Sequence, residues 1–204
     1  RNRLGGSALA QVLNQVGDEA PDLDDPPRFK AFFTATQALV SQERLLALHD
    51  RSDGGVAVTL AEMAMAGGMG VDVDLPGDAN APLAALFTEE LGVVIQVRED
   101  ERDVVLALMA AHGLGDLTHV IGAPSNHARV RIKVRGQTAL DWSLPQVRRS
   151  WSALTHHMQT LRDNPACVRQ EYDDALQPAQ AGMHFHLSYT PDDAPPPAAV
   201  ANQP

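Results

Sequence analysis

A single cysteine, a shortage of basic residues and the lack of any long apolar run set the first limits on this chain. Cys167 has no second thiol to pair with, which excludes an internal disulfide and a cysteine-built metal cluster. It follows Asp163-Asn164-Pro165-Ala166, a helix-stop and turn sequence that offers no nucleophile context, so it reads as structural rather than reactive. With 16 basic against 26 acidic residues and a formal charge of −10, the chain lacks the footprint for nucleic acid or an anionic membrane surface. No run approaches the roughly 18 apolar residues of a membrane span, and no basic-then-apolar start marks a secretory signal, so the cytoplasm is the expected location. No internal repeat with a period of roughly 20–50 residues appears, which excludes solenoids and propellers.

What is present suits a core of its own, since 44% of the 204 residues are apolar. Leu4-Gly5-Gly6-Ser7 reads as a loop feeding a helix over residues 8–16, and an acidic, proline-containing loop over 18–27 leads to a helix over 29–40. Strands are predicted over 45–48, 69–75, 92–97 (the last fully buried), 118–123 and 129–134. A turn at Arg135-Gly136 carries the last into a hairpin partner over 138–142. Helices are predicted over 83–87 and 99–112, the latter with Val105, Leu108 and Met109 on one face. Ser143, with Gln146 three residues on, caps a long helix whose buried stripe is Leu144, Val147, Trp151, Leu154, Met158 and Leu161, ended by Asp163-Asn164-Pro165. This alternation predicts an α/β (α+β) fold, a mixed sheet covered by helices. The proline-rich, acidic stretch over 191–204 has linker composition and is expected to lead toward a further domain.

The stretch with most chemistry is His49-Asp50-Arg51-Ser52-Asp53-Gly54-Gly55, between the strand over 45–48 and a helix that begins at Val56 and is stopped by Gly67-Gly68. Two carboxylates, a hydroxyl and two glycines there meet a helix N-terminus, where free N–H groups and the helix dipole favour a phosphate. Magnesium is satisfied by one or two carboxylates completed by phosphate oxygens and water, so Asp50 beside a hydroxyl suits it. The same residues also suit a plain turn in which Ser52 or Asp53 is the N-cap and the glycines supply tight geometry. Both readings stand on the pattern alone.

Other candidates read more simply. His156 and His157 would point about 100° apart on a helix and cannot hold one metal from one face. Arg129, Arg131 and Lys133 share a strand face that could meet a phosphate but is more simply solvated. Glu89-Glu90 could add a carboxylate to a site, yet also suits the end of a short helix.

Several blocks together resemble one family. Leu4-Gly-Gly-Ser-Ala-Leu-Ala-Gln-Val, Leu48-His-Asp-Arg-Ser-Asp-Gly-Gly, Thr59-Leu-Ala-Glu-Met-Ala, Phe87-Thr-Glu-Glu-Leu-Gly-Val-Val-Ile-Gln-Val and Leu161-Arg-Asp-Asn-Pro occur in the order found in formylglycinamide ribonucleotide amidotransferases. These are also called phosphoribosylformylglycinamidine synthases, and the resemblance is to their long, single-chain bacterial form over residues 4–165. It implies the fold of the C-terminal domain of aminoimidazole ribonucleotide synthetase, in the second such module of the synthetase region. Residues 1–165 would be that module and 166–204 a connecting segment toward a glutaminase domain. The parent activity implied is ATP- and glutamine-dependent conversion of formylglycinamide ribonucleotide to its amidine in purine synthesis. The implied cofactors are Mg2+ and ATP or ADP, with Asp50 as a metal ligand and Ser52 as a nucleotide contact, at a pocket where ADP is a structural element. No residue here carries over as catalytic, the implied partners are the remaining domains of the parent, and the chain alone is expected to be inactive. A related synthetase, such as aminoimidazole ribonucleotide or selenophosphate synthetase, and a non-catalytic interaction module are the alternatives.

Overall fold

The computed structural model describes residues 1–177 and 186–188, and the linker expected over 191–204 lies outside them. The chain opens with a short helix, α1 (Ala8–Val12), whose N-cap Ser7 is fully buried and accepts from Ala10 N. It stops four residues before the predicted end because the backbone turns back: Asn14 and Gly17 have positive φ, and residues 16 and 19 supply carbonyls to Gly6 and Gly5. A helix continued to Val16 would gain no core contact there, since Val12 and Val16 are both exposed.

α2 (Pro26–Ser41) starts on Asp25, whose side chain accepts from Arg28 N, with proline in the first turn where no N–H partner is needed. Two antiparallel strands follow, β1 (Ala47–Asp50) and β3 (Val93–Gln96). β1 begins two residues later than predicted, so His49 and Asp50 belong to the strand itself. β3 is half-buried rather than buried, because a two-stranded sheet leaves part of each strand open. α2 packs beside α5 (Arg102–Ala111) around Ala35, Leu39, Val105, Met109 and Leu114.

The second sheet has four strands in the order β4 (Gly122–Ser125), β2 (Gly70–Leu75), β5 (Arg129–Val134) and β6 (Gln137–Ser143). β2 and β5 are parallel and the outer pairs antiparallel, which makes the sheet mixed, as predicted. The strand expected over 118–123 lies further along, since residues 115–117 form a 3-10 turn and pairing begins only at Gly122. β5 alternates cleanly: Val130, Ile132 and Val134 are fully buried, while Arg129, Arg131 and Lys133 take the other face. Three helices, α3 (Gly55–Gly67), α4 (Pro82–Phe87) and α6 (Leu144–Arg162), supply the rest of that core through Val56, Leu60, Leu86, Leu144 and Val147.

Two parts of the C-terminal region differ from expectation. The capping box at Ser143 and Gln146 forms as predicted, and Leu144 and Val147 are buried. The remainder of the predicted buried stripe is exposed, from Trp151 at 65% through Leu154 and Met158 to Leu161 at 90%. Only the first turns of α6 lie over the core, and the helix runs on past it. Residues read as a connecting segment also form a seventh helix, α7 (Pro165–Ala175), capped by Asn164, which accepts from Ala166 N and Cys167 N. α7 buries Val168 and stacks Tyr172 on His156 at 4.0 Å between ring centroids. Cys167 is exposed on it.

Candidate nucleotide and metal corner

The β1-to-α3 corner is built mostly from backbone. The Asp50 carbonyl accepts from the Thr59 hydroxyl at 3.0 Å, and Arg51 N donates to Gly92 O at 2.9 Å, which ties the end of β1 to α3 and to the segment before β3. The Arg51 guanidinium donates to the carbonyls of Glu90 (2.6 Å) and Leu91 (3.3 Å), and burial pulls its pKa below the usual arginine value. Gly54 and Gly55 both sit at positive φ, +81° and +65°. A Cβ on Gly55 would stand 2.7 Å from the backbone of residues 86–88, so the close approach of α4's end requires glycine there.

The α3 N-terminus corrects two expectations. Its N-cap is Gly54, with no side-chain cap, so neither Ser52 nor Asp53 caps the helix; Gly55 N instead donates to the Ser52 carbonyl at 2.9 Å. Glu89 does the capping from a distance. Its Oε1 accepts from Gly54 N at 2.9 Å and from Ala8 N at 2.8 Å, so one carboxylate serves the starts of both α3 and α1. Two of the N–H groups expected to favour a phosphate, those of Gly54 and Gly55, are thus already bonded within the chain. Only the fold reveals this, because 35 and 81 residues separate Glu89 from its partners. Glu90 is equally internal: its carboxylate binds Arg3 at 2.6 Å, and that guanidinium holds the Glu90 pKa below the usual carboxylate range.

The side chains of Asp50 and Ser52 remain directed to the outside of this framework. Asp50 is 68% exposed, and the Ser52 hydroxyl, with help from its own backbone and His49, lowers its pKa, so it is a carboxylate at neutral pH. Ser52, two residues on, is exposed as Asp50 is. His49 stands behind them, with Nδ1 3.2 Å from Asp50 Oδ1 and Nε2 2.8 Å from Glu62 Oε2. Burial works against protonation of this imidazole, but the bonds to Glu62 and Asp50 outweigh it and its pKa is raised. The second Glu62 oxygen accepts from Trp151 Nε1 at 3.4 Å. His49 and Glu62 were not singled out in the sequence; Glu62 lies seven positions into α3, and only the packing of β1 on α3 aims it at the corner.

Among the described residues no group of three or more His, Cys, Asp or Glu is arranged to hold a metal ion. Asp50 with the Ser52 hydroxyl nonetheless fits magnesium, which needs one or two protein carboxylates and takes its remaining ligands from phosphate and water. Two of the other candidate cations are accounted for internally. Arg129 pairs with Asp141 at 2.6 Å and Arg131 with Asp72 at 2.9 Å, which uses those guanidinium groups within the sheet. An apolar cleft of about 260 Å³ runs between the two sheets, past Leu60, Met63, Val71, Val94 and Ile121, and neither Asp50 nor Ser52 lines it. Among the described residues no helix is long and apolar enough to cross a membrane.

Residues 2–135, which include the whole corner, match the family described as AIR synthase related protein, C-terminal domain. The chain belongs to this family. Parts of larger solved structures share the fold of this chain. PurL of Thermotoga maritima complexed with ATP has a TM-score of 0.53 and 17% identity over 62% of this chain and 22% of that one. T. maritima phosphoribosylformylglycinamidine synthase II gives 0.52 and 17% over 84% and 25%, and T. maritima PurL complexed with FGAR gives 0.51 and 16% over 88% and 26%. The chain thus spans about a quarter of the length of the structures it matches. α6 and α7 lie beyond the residues matched to the AIR synthase related domain.

Proposed function

We propose that this chain is a module of an ATP-dependent formylglycinamide ribonucleotide amidotransferase of purine biosynthesis, and that Asp50 and Ser52 contribute to a magnesium–nucleotide site in it. The observation that carries the reading is the exposed Asp50 carboxylate, two residues before Ser52 at the start of α3, on a corner whose backbone is fixed by Glu89 and Arg51. Family membership, the ordered blocks from Leu4 to Pro165 and the fold shared with PurL support the wider assignment.

Bound magnesium would supply charge neutralisation at nucleotide phosphates. Asp50 would hold the ion, and the Ser52 hydroxyl would orient Asp50 and contact the nucleotide. Glu89 occupies the first α3 donor, so phosphate recognition falls to the ion and Ser52 rather than to that N–H. We assign the nucleotide here a structural role, as ADP, and no residue of this chain a catalytic one. Residues 1–165 form the module, 166–204 the connection toward a glutaminase domain, and the cytoplasm is its location. The uncovered apolar face of α6 fits a module with neighbours in the parent protein.

The test compares the intact enzyme with its Asp50→Ala variant for co-purified ADP and for ATP turnover with ammonia as nitrogen donor. Loss of ADP with residual turnover supports a structural magnesium–nucleotide site. Loss of turnover with ADP retained moves Asp50 to the reacting site, and no change in either reduces the corner to a turn. The family description favours a second reading, a related synthetase with another substrate, which the same assay separates by substrate.

A further inference from the structure

The corner contains a linked set of side chains that the magnesium–nucleotide reading does not itself use. β1 alternates, so His49 turns inward toward α3 while Asp50 turns outward. An exposed aspartate on a strand end would rotate freely, and fixing it on a cation would cost side-chain freedom. Here the carboxylate is met from the protein side by the His49 ring, whose Nδ1 lies 3.2 Å from Asp50 Oδ1. An imidazole bonded to Asp50 alone would move with it. This one is bonded at both nitrogens, and its far end is fixed on Glu62 Oε2 at 2.8 Å. Glu62 is itself held at its other oxygen by Trp151 of α6. Arg148, also on α6, donates to the Met65 carbonyl at 2.6 Å and so fastens the same stretch of α3. The result is a continuous chain from α6 through α3 to the outward face of β1.

We propose that Glu62 is a positioning residue for the Asp50 carboxylate, acting through His49, so that the magnesium–nucleotide corner is aimed by the packing of α6 on α3. The inference rests on the reading of Asp50 as a metal ligand. It extends that reading to groups that touch neither ion nor nucleotide and lie partly outside the residues matched to the family. Partners of this kind, bonded to the ligand rather than to the ion, typically change metal affinity 10–100-fold when removed.

The test measures Mg2+-dependent ADP binding by calorimetry on the intact enzyme stripped of nucleotide, with the melting temperature of each nucleotide-free variant as the control on folding. Glu62→Leu is expected to weaken Mg2+–ADP binding about 10–100-fold while the nucleotide-free variant still melts in one cooperative step. Glu62→Gln keeps an oxygen for the imidazole and removes the charge, and is expected to recover most of the affinity. His49→Leu is expected to lose as much as Glu62→Leu, with the double variant no worse than either. An affinity within twofold of wild type in Glu62→Leu overturns the proposal. So does a Glu62→Gln variant as weak as Glu62→Leu, since the loss would then follow charge and not position. Should Glu62→Leu fail to fold, His49→Leu decides, and retained affinity there overturns the proposal. Asp50→Ala binding Mg2+–ADP as wild type does is a different failure: it removes the metal reading itself and this inference with it.

Discussion

At Gly55 a left-handed backbone and a close approach coincide, with φ at +65° and the backbone of residues 86–88 only 2.7 Å from where a Cβ would stand. Gly68 shares the left-handed φ but has open space around it. The two positions therefore separate strain from collision. Gly68→Ala is expected to cost about 1–2 kcal/mol from the conformation alone, and Gly55→Ala about 2–5 kcal/mol because the end of α4 must also move. Urea denaturation of the two variants measures the difference. His49 gives a pH dependence at the same scale. Its pKa is raised in the fold, so its contribution is fully present below the ordinary imidazole value near 6.5 and is lost as pH rises through the folded value. The melting temperature of the wild type is expected to fall across that interval more than that of His49→Gln, and scans from pH 6 to pH 8.5 check it. The Asp50 and Ser52 pair was legible in the sequence because a strand, a Gly-Gly pair and a helix bracket them within a few residues. The bonds made by Glu89 and Glu62 were not, because they depend on where α1, α3 and β1 meet.

Helix α6 shows at the element scale what periodicity reveals and what it leaves open. Its start was legible down to the residue, because a capping box is a local motif whose donors and acceptors lie three positions apart. The apolar stripe was legible as a stripe, yet spacing says which residues share a face and not how far the covering surface extends. The first turns meet β5, β6 and α3, whereas Leu154, Met158 and Leu161 project beyond them. α7 was missed for a related reason: Asn164-Pro165 ends one helix and also begins the next, with Pro165 in the first turn and Asn164 as the cap. The two ends of one stripe should therefore respond differently to truncation. Leu144→Ala removes a fully buried side chain and is expected to cost about 2–5 kcal/mol, while Leu154→Ala is expected to stay within about 0.5 kcal/mol of wild type. Ser143→Ala should fall between them, at about 1 kcal/mol, through the lost cap. Chemical denaturation of the three single variants orders them.

Two cores divide the molecule, one beneath α3, α4 and α6 on the four-stranded sheet and one between α2 and α5. The corner lies near their junction, since β3, paired with β1, lends Ile95 to the second core while α3 buries its apolar face in the first. Arg3, at the N-terminal end, closes the arrangement from outside: its guanidinium binds Glu90 and Asp24, and its carbonyl accepts from the buried Thr88 hydroxyl. A ligand that engages Asp50 and Ser52 thus acts on the seam and should stabilise both cores together. By mass action, magnesium and ADP at about 100 times their dissociation constant add about 2.7 kcal/mol to the folded state. Removing the ion with EDTA from the nucleotide-loaded intact enzyme should lower its melting temperature in one cooperative step, and Asp50→Ala should melt at the lower temperature with or without EDTA. A melting temperature insensitive to chelation in the wild type would leave the seam held by its internal bonds alone, with Glu89, Glu90 and His49 sufficient to fix it and no stabilising part for an ion.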